Sequence, residues 1–298
     1  MNRQFPGLLT CVILLAAVAV SSLSPGCTTS AHSVPWRPDF EQALLDSREW
    51  KKPVLTYLYT DSCTYCKEME ATTFQDPLIV EEMGDHYLWV KLNAETDPVG
   101  SRLRDQFSVS TYPAIVLTDY DGSEIDRLSG YVEASDFKQR IEAFVKGPDT
   151  FKGLQQRLQE DPESLPTHFS LAKKYLERGQ LFVGAKHFVR VIVADPGNLE
   201  GLTDPSYYWL ARTLVAGGHP DEALSQLNSL YTKFPNSVVL ADALLLESQI
   251  HTFGSRPRQA QRVLESFVEM FPAHEQRAWA EQLLEELYPS PMPMARSH

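Results

Sequence analysis

The sequence predicts two domains of different class, an α/β domain followed by an all-α helical repeat domain. Between Trp36 and Val145, short β-branched and aromatic runs alternate with segments whose apolar residues recur every three or four positions. This pattern indicates strands alternating with helices. Beyond Pro148 the strand pattern ends, and prolines recur at positions 162, 196, 235 and 272. The length of 298 residues agrees with two domains of about 150 residues each.

Composition and charge narrow the functional classes. Hydrophobic residues make up 43% of the chain and charged residues 22%, proportions that exclude a disordered chain and a polytopic membrane protein. The formal net charge is −12. Because a surface of that sign repels phosphate backbones, we expect no nucleic-acid partner.

Residues 1–26 have the order of a bacterial export signal. Arg3 precedes an uncharged apolar run from Leu8 to Val20, and small residues follow. The run is shorter than the roughly 20 residues that span a bilayer, although an uncleaved anchor helix is the alternative. We therefore predict an export signal over 1–26 and a polar tether over 27–35.

Cys27 follows the signal directly. Its place after Gly26 resembles a bacterial lipoprotein cleavage box, although Ser24 stands where that family prefers leucine. The resemblance implies that Cys27 is lipidated and anchors the protein to a membrane. The alternative is cleavage after Ala31, which removes Cys27. Either route exports the protein, to the periplasmic face of a bacterial membrane as a lipoprotein or to the periplasm or medium as a soluble protein.

The α/β domain is predicted over residues 36–148. We expect four strands, over Val54–Tyr59, Tyr87–Leu92, Ala114–Leu117 and Glu124–Leu128, the last two joined by a turn at Asp121-Gly122. A helix capped by Asp39 precedes the first strand, and a helix that begins at the Cys63-Thr64-Tyr65-Cys66 motif follows it. Two further helices are expected over Val99–Phe107 and Phe137–Val145.

The two cysteines of this motif carry the predicted chemistry. Two intervening residues fill one helical turn, so the sulfurs of Cys63 and Cys66 can approach to disulfide distance. Cys63 lies at the helix N-terminus, where unpaired N–H groups and the helix dipole stabilise the attacking thiolate. Cys66, one turn further, is suited to resolve the mixed disulfide.

Several separated motifs resemble the thioredoxin superfamily. They are Lys52-Pro53-Val54, the cysteine motif with Lys67-Glu68-Met69-Glu70, Thr73-Phe74-Gln75-Asp76-Pro77, and Thr111-Tyr112-Pro113-Ala114. The stretch resembles the soluble C-terminal domain of the envelope thiol:disulfide interchange reductase and its stand-alone lipoprotein relatives. The resemblance implies a cis Pro113 beside the dithiol, and substrate contacts by the backbone before it and by Thr64, Tyr65, Thr111 and Tyr112.

Two positions depart from this family. Ser62 replaces the usual tryptophan before the first cysteine, and Tyr57 replaces the buried carboxylate six residues before it. A tyrosine with a pKa near 10 cannot accept a proton at neutral pH. Glu70, four residues after Cys66 on one helix face, is the substitute acceptor that we predict. The alternative for Glu70 is a solvated surface carboxylate.

No metal site or cofactor is expected beyond a redox-active Cys63–Cys66 disulfide. A structural zinc site needs four ligands, and the chain has no second cysteine pair with short spacing among its four cysteines. The eight histidines are scattered through the sequence. Redox chemistry therefore explains the motif better than metal binding.

The all-α domain is predicted over residues 149–289, with a frayed tail over 290–298. The prolines are spaced by 34, 39 and 37 residues, a period typical of helical repeats. Aligning the units on their prolines shows a pattern similar to tetratricopeptide repeats, with Leu210, Ala211 and Gly218 in the second unit. The first helix of the third unit is out of register, because Glu247 occupies a leucine position. A last helix over Arg277–Leu287 is expected to cap the stack.

Repeats of this kind present a concave groove. In this register Phe169, Lys173, Tyr208 and Arg212 are predicted to line it and to dock a protein or peptide. The alternative is ordinary surface on a supporting domain.

Together these features predict an exported thiol–disulfide oxidoreductase, and the resemblance favours the reductase direction. Its expected partners are envelope proteins with disulfides and a thiol electron donor. The alternative is an envelope interaction scaffold whose thioredoxin-like domain has lost efficient catalysis, as Ser62 and Tyr57 would permit.

Overall fold

The computed structural model describes residues 33–287. The predicted export signal, Cys27 and the predicted tail lie outside the described residues. Within them, an α/β domain is followed by an all-α region, as the sequence predicted. No helix in residues 33–287 is both long and apolar enough to cross a membrane.

The α/β domain is built on a four-stranded sheet of order β2-β1-β3-β4. Its strands are β1 (Val54–Tyr59), β2 (Leu88–Asn93), β3 (Ala114–Thr118) and β4 (Glu124–Ser129). β1 runs parallel to β2 and antiparallel to β3, and β3 runs antiparallel to β4. β4 is therefore an edge strand of this sheet.

Five α-helices belong to this domain. They are α1 (Phe40–Trp50), α2 (Thr64–Ala71), α3 (Pro77–Met83), α4 (Pro98–Gln106) and α5 (Ala134–Lys146). α3 and the 3-10 turn Thr73–Gln75 before it were not predicted from the sequence. Asp76 caps α3 by accepting the N–H of Leu78, and Pro77 follows as a helix-starting residue. Its seven residues are too few to show a clear apolar period.

The sheet separates two buried apolar layers, because successive strand residues point to opposite faces. In β1, Leu55 and Tyr57 belong to the first layer, whereas Val54 and Leu58 belong to the second. Cys66 is a member of the first layer. The cysteine motif is therefore anchored in the core on that side of the sheet.

The all-α region, as far as the structure describes it, consists of α6 to α13. They are α6 (Phe151–Glu160), α7 (Leu165–Glu177), α8 (Leu181–Ala194), α9 (Thr203–Ala216), α10 (Pro220–Lys233), α11 (Leu240–Phe253), α12 (Pro257–Met270) and α13 (Arg277–Leu287). Helices α7–α8, α9–α10 and α11–α12 form three closely packed pairs, and the second helix of each pair ends shortly before a repeating proline. α6 was not predicted. α11 is regular over 14 residues, although Glu247 breaks the repeat register.

Candidate active site

The cysteine motif lies where β1 leads into α2. β1 ends at Tyr59, and four residues later Cys63 is the N-cap of α2. Cys63 and Cys66 form a disulfide, with their Cα atoms 5.2 Å apart. Cys66 is only 1% exposed, and Cys63 is half-buried. The more accessible sulfur is therefore the one at the helix N-terminus.

The start of α2 also supplies a donor to this sulfur. The backbone N–H of Cys66 donates to Cys63 Sγ at 3.0 Å. When the disulfide is reduced, a donor in this place and the positive end of the helix favour the thiolate form of Cys63.

Tyr57 belongs to the same apolar layer as Cys66 and contacts the helix that carries the cysteines. Its hydroxyl lies 3.2 Å from the carbonyl oxygen of Cys66 and 3.2 Å from Glu70 Oε1. Burial, reinforced by the Glu70 charge, raises the pKa of Tyr57 far above its usual value. The Tyr57 hydroxyl is therefore a neutral donor throughout the physiological pH range.

Lys91 completes this group of polar side chains. Its Nζ lies 2.6 Å from Glu70 Oε2 and 4.8 Å from the centroid of the Tyr59 ring. Lys91 reaches Glu70 because β2 pairs with β1 in a register that sets Lys91 beside Tyr57. We call Tyr57, Glu70 and Lys91 the disulfide network. Glu70 is bound on both oxygens, so it does not match the alternative of a freely solvated carboxylate.

The disulfide network remains accessible to water. The Glu70 side chain is 34% exposed and that of Lys91 is 27% exposed. The sequence predicted a role for Glu70 but not for Lys91, because only the strand register brings Lys91 to this site. Ser62 is the other position that departs from the family. It is exposed, and its hydroxyl oxygen lies 3.3 Å from that of Thr60.

The predicted proline loop adjoins the same core layer. The Tyr112–Pro113 peptide bond is cis, as the resemblance implied. The carbonyl oxygen of Pro113 accepts the N–H of Gly130 at 2.8 Å. Tyr112 and Cys63 both pack against the first apolar layer, and burial raises the pKa of Tyr112. The loop and the disulfide thus both border the first apolar layer.

The residues predicted to contact substrate are mostly on the surface. Thr64 and Thr111 are exposed, and Tyr65 is 61% exposed. A side chain as large and apolar as Tyr65 standing between the two cysteines offers contact area beside the disulfide. Within the described chain, no group of three or more histidine, cysteine, aspartate or glutamate side chains could hold a metal ion.

The predicted groove residues centre on a tryptophan that the sequence analysis did not single out. Lys173 Nζ lies 4.9 Å and the Arg212 guanidinium 4.6 Å from the centroid of the Trp209 ring. The ring of Tyr208 is 5.5 Å from the same ring. Phe169 lies nearby, because Lys173 Nζ is 5.9 Å from the centroid of its ring, and it packs edge-on against Phe188. We call Lys173, Tyr208, Trp209 and Arg212 the Trp209 surface.

Comparison with known proteins supports the predicted class of both regions. Residues 40–144 match the family model of a thioredoxin-like domain. The first region is therefore a thioredoxin-like domain. Residues 206–237, which cover most of α9 and α10, match the model of a tetratricopeptide repeat.

Named relatives are similar to part of the chain. The thiol:disulfide interchange protein DsbD of Photorhabdus laumondii is 31% identical over 39% of this chain and 21% of its own length. DsbD of Pseudoalteromonas atlantica is 34% identical over 33% of this chain and 17% of its own length. The chain thus spans about a fifth of these relatives. The oxidised C-terminal domain of Neisseria meningitidis DsbD is 27% identical, with coverage of 34% and 89% and a TM-score of 0.30.

Proposed function

We propose that the protein is an exported thiol–disulfide oxidoreductase that reduces disulfides in bacterial envelope proteins. The observation that carries the proposal is the Cys63–Cys66 disulfide at the start of α2, with its more accessible sulfur at the helix N-cap. The thioredoxin-like family match and the DsbD relatives support it. The predicted export signal supports an envelope location, and a lipid on Cys27 would hold the protein at the periplasmic face of a membrane.

The reaction is a two-electron exchange that needs no further cofactor. The Cys63 thiolate attacks a substrate disulfide, forms a mixed disulfide and releases one substrate sulfur as a thiolate. Cys66 then loses its proton and attacks Cys63 Sγ, which releases the second substrate sulfur. The substrate gains two electrons, and the Cys63–Cys66 disulfide forms. A donor dithiol of the envelope restores the reduced protein by the reverse exchange.

Glu70 is the base that we assign to the resolving step. The Cys66 sulfur is buried, so its proton needs an acceptor nearby. Glu70 lies one helical turn after Cys66, and Tyr57 bridges the Cys66 carbonyl and the Glu70 carboxylate. Because Glu70 is also partly exposed, it can pass the proton on to water.

Reduction of insulin by dithiothreitol tests the activity. The wild-type protein should accelerate the reaction, and Cys63→Ser should abolish the acceleration while its thermal melt stays unchanged. Cys66→Ala should accumulate a mixed disulfide with insulin, because the resolving sulfur is gone. Activity that survives Cys63→Ser contradicts the mechanism, and an inactive wild-type protein supports the scaffold alternative.

The direction of electron flow is tested by measuring the reduction potential of the dithiol. Equilibration of the dithiol in a glutathione buffer gives its reduction potential. A reductase should lie close to thioredoxin, at about −270 mV, whereas a strong oxidant lies near −120 mV. A value near the second figure contradicts the reductase direction but leaves the oxidoreductase chemistry intact.

The repeats are proposed to dock a protein partner at the Trp209 surface. Among the described residues, no carboxylate lies within ion-pair distance of Lys173 or Arg212, in contrast to most other arginines of the chain. Two unpaired cations stacked on one indole ring favour an acidic segment of the partner. The partner is then either a client with a disulfide or the thiol electron donor.

A further inference from the structure

The loop before the cis-proline is held by both regions of the molecule. Residues 107–112 connect α4 to β3 and lead directly to Pro113. On the thioredoxin-like side, the Arg127 guanidinium donates to the carbonyl oxygen of Phe107. On the repeat side, Ser110 Oγ donates to the backbone carbonyl of Arg178 at 3.4 Å. Arg178 belongs to the turn that ends α7.

That turn is tied to the edge strand β4 by a buried ion network. Arg178 Nη2 lies 2.7 Å from Asp126 Oδ1 and 3.0 Å from Glu124 Oε1. Lys174 pairs with the other oxygen of Asp126, and the Arg178 guanidinium lies 3.9 Å from the centroid of the Phe151 ring. The Arg178 and Asp126 side chains are 1% and 0% exposed. The turn is therefore fixed relative to the sheet.

Gly179 permits the close approach of this turn to the loop. Its φ is +71°, and a Cβ added there would lie 2.7 Å from Ser110 Oγ. The corresponding turn at the end of α9 contains Gly218, with φ +81°, where an added Cβ meets no atom within 4 Å. The two glycines share the left-handed backbone, but only Gly179 adjoins the proline loop.

We propose that the first repeat positions the substrate-binding loop of the thioredoxin-like domain, with Arg178 and Gly179 as positioning residues. This inference rests on the proposed function. A substrate segment that pairs with the backbone beside Pro113 needs that loop in one conformation, and a loop already held loses less entropy on binding. A small disulfide that meets Cys63 without using the loop gains nothing from this support.

Gly179→Ala and Gly218→Ala form a matched pair that tests the inference. Both place an alanine at a positive φ, so both carry a similar backbone penalty. With insulin as substrate, Gly179→Ala should raise KM by about three- to tenfold and leave kcat within about twofold, which is the range expected for one newly ordered loop contact. Gly218→Ala should leave KM unchanged. The rate with a small aromatic disulfide, 5,5′-dithiobis(2-nitrobenzoate), should be the same for both variants.

A second substitution and a second readout keep the test decisive. Ser110→Ala alone removes the hydrogen bond to the Arg178 carbonyl without placing a Cβ at a positive φ, so it should also raise KM for insulin. Hydrogen–deuterium exchange of residues 107–112 should be faster in Gly179→Ala than in Gly218→Ala. Equal KM values or equal exchange in the two variants overturn the inference, whereas active wild-type protein in the same assay leaves the proposed function standing.

Discussion

Two groups of charged side chains, one at the junction with the repeats and one near the disulfide, differ in their access to water. At the junction with the repeats, the ion-paired Arg178 and Asp126 side chains are almost completely buried. In the disulfide network, Lys91 and Glu70 are each about one-third exposed. A buried pair of opposite charges is costly to break, because losing one charge leaves the other buried and unpaired. A half-exposed carboxylate can exchange a proton with water.

The difference in burial suits the two groups to different roles, one structural and one in the proposed chemistry. The buried ion network around Arg178 joins strand β4 to α7 through Asp126. Asp126 also accepts the N–H of Phe151 at the start of α6. The disulfide network uses similar chemical groups, yet its donor Tyr57 contacts the backbone of the resolving cysteine. Burial therefore distinguishes the charges that hold the two regions together from the charges that we propose to serve the exchange reaction.

The largest expected effect concerns the junction. Arg178→Met leaves Asp126 and Glu124 buried with one cation fewer, so we expect the free energy of unfolding to fall by about 3 to 5 kcal/mol. Arg190→Met is the matched control, because Arg190 pairs with Glu163 at the surface of α8, where such a pair contributes about 1 kcal/mol or less. Urea denaturation followed by circular dichroism measures both. Equal losses in the two variants would contradict the structural role of the junction.

The second effect concerns catalysis. Glu70→Gln removes the proposed proton acceptor, and we expect decay of the insulin mixed disulfide to slow by about a hundredfold, the lower end of general-base contributions. The free energy of unfolding should change by less than about 1 kcal/mol, because the ion pair of Glu70 with Lys91 is partly exposed. Rapid acid quenching of a single turnover measures the decay.

Glu68→Gln provides the control for that measurement. Glu68 is an exposed carboxylate on the same helix, and no ion pair involves its side chain in the described part of the chain. Substitution there changes the net charge equally but leaves the disulfide network intact. If both variants slow the decay alike, a general loss of negative charge explains the result and Glu70 has no role as a base.

The sequence predicted the local elements better than the contacts between distant ones. β1 was predicted from Val54 to Tyr59 because a continuous β-branched and aromatic run stops at clear turn residues. The sequence of β4 gives no sign that one of its charged residues is buried, yet Asp126 is completely buried. Its burial depends on Arg178, 52 residues further along the chain. No local pattern in the sequence carries that information.

The same limit applies at the two candidate sites. The spacing of Cys63 and Cys66 was enough to predict a disulfide, since both lie within one helical turn. Lys91 was missed because a strand register places it next to Tyr57. Trp209 was missed because the stacking of α7 on α9 brings Lys173 to its ring. Residues that share one element are evident from their spacing in the sequence, whereas residues joined only by packing are not.

The smallest expected effect concerns the unpaired cations of the Trp209 surface. A ten-residue glutamate-rich peptide should bind the wild-type protein weakly, and Lys173→Gln with Arg212→Gln should weaken binding by about tenfold, or roughly 1.4 kcal/mol for two cation contacts. Titration calorimetry at two salt concentrations measures the affinity, which should fall with salt because exposed charges are screened. Lys186→Gln is the control, because Lys186 stacks on the exposed Phe182 of α8. Equal weakening by Lys186→Gln would mean that the peptide binds through general charge and that the Trp209 surface is not a docking site.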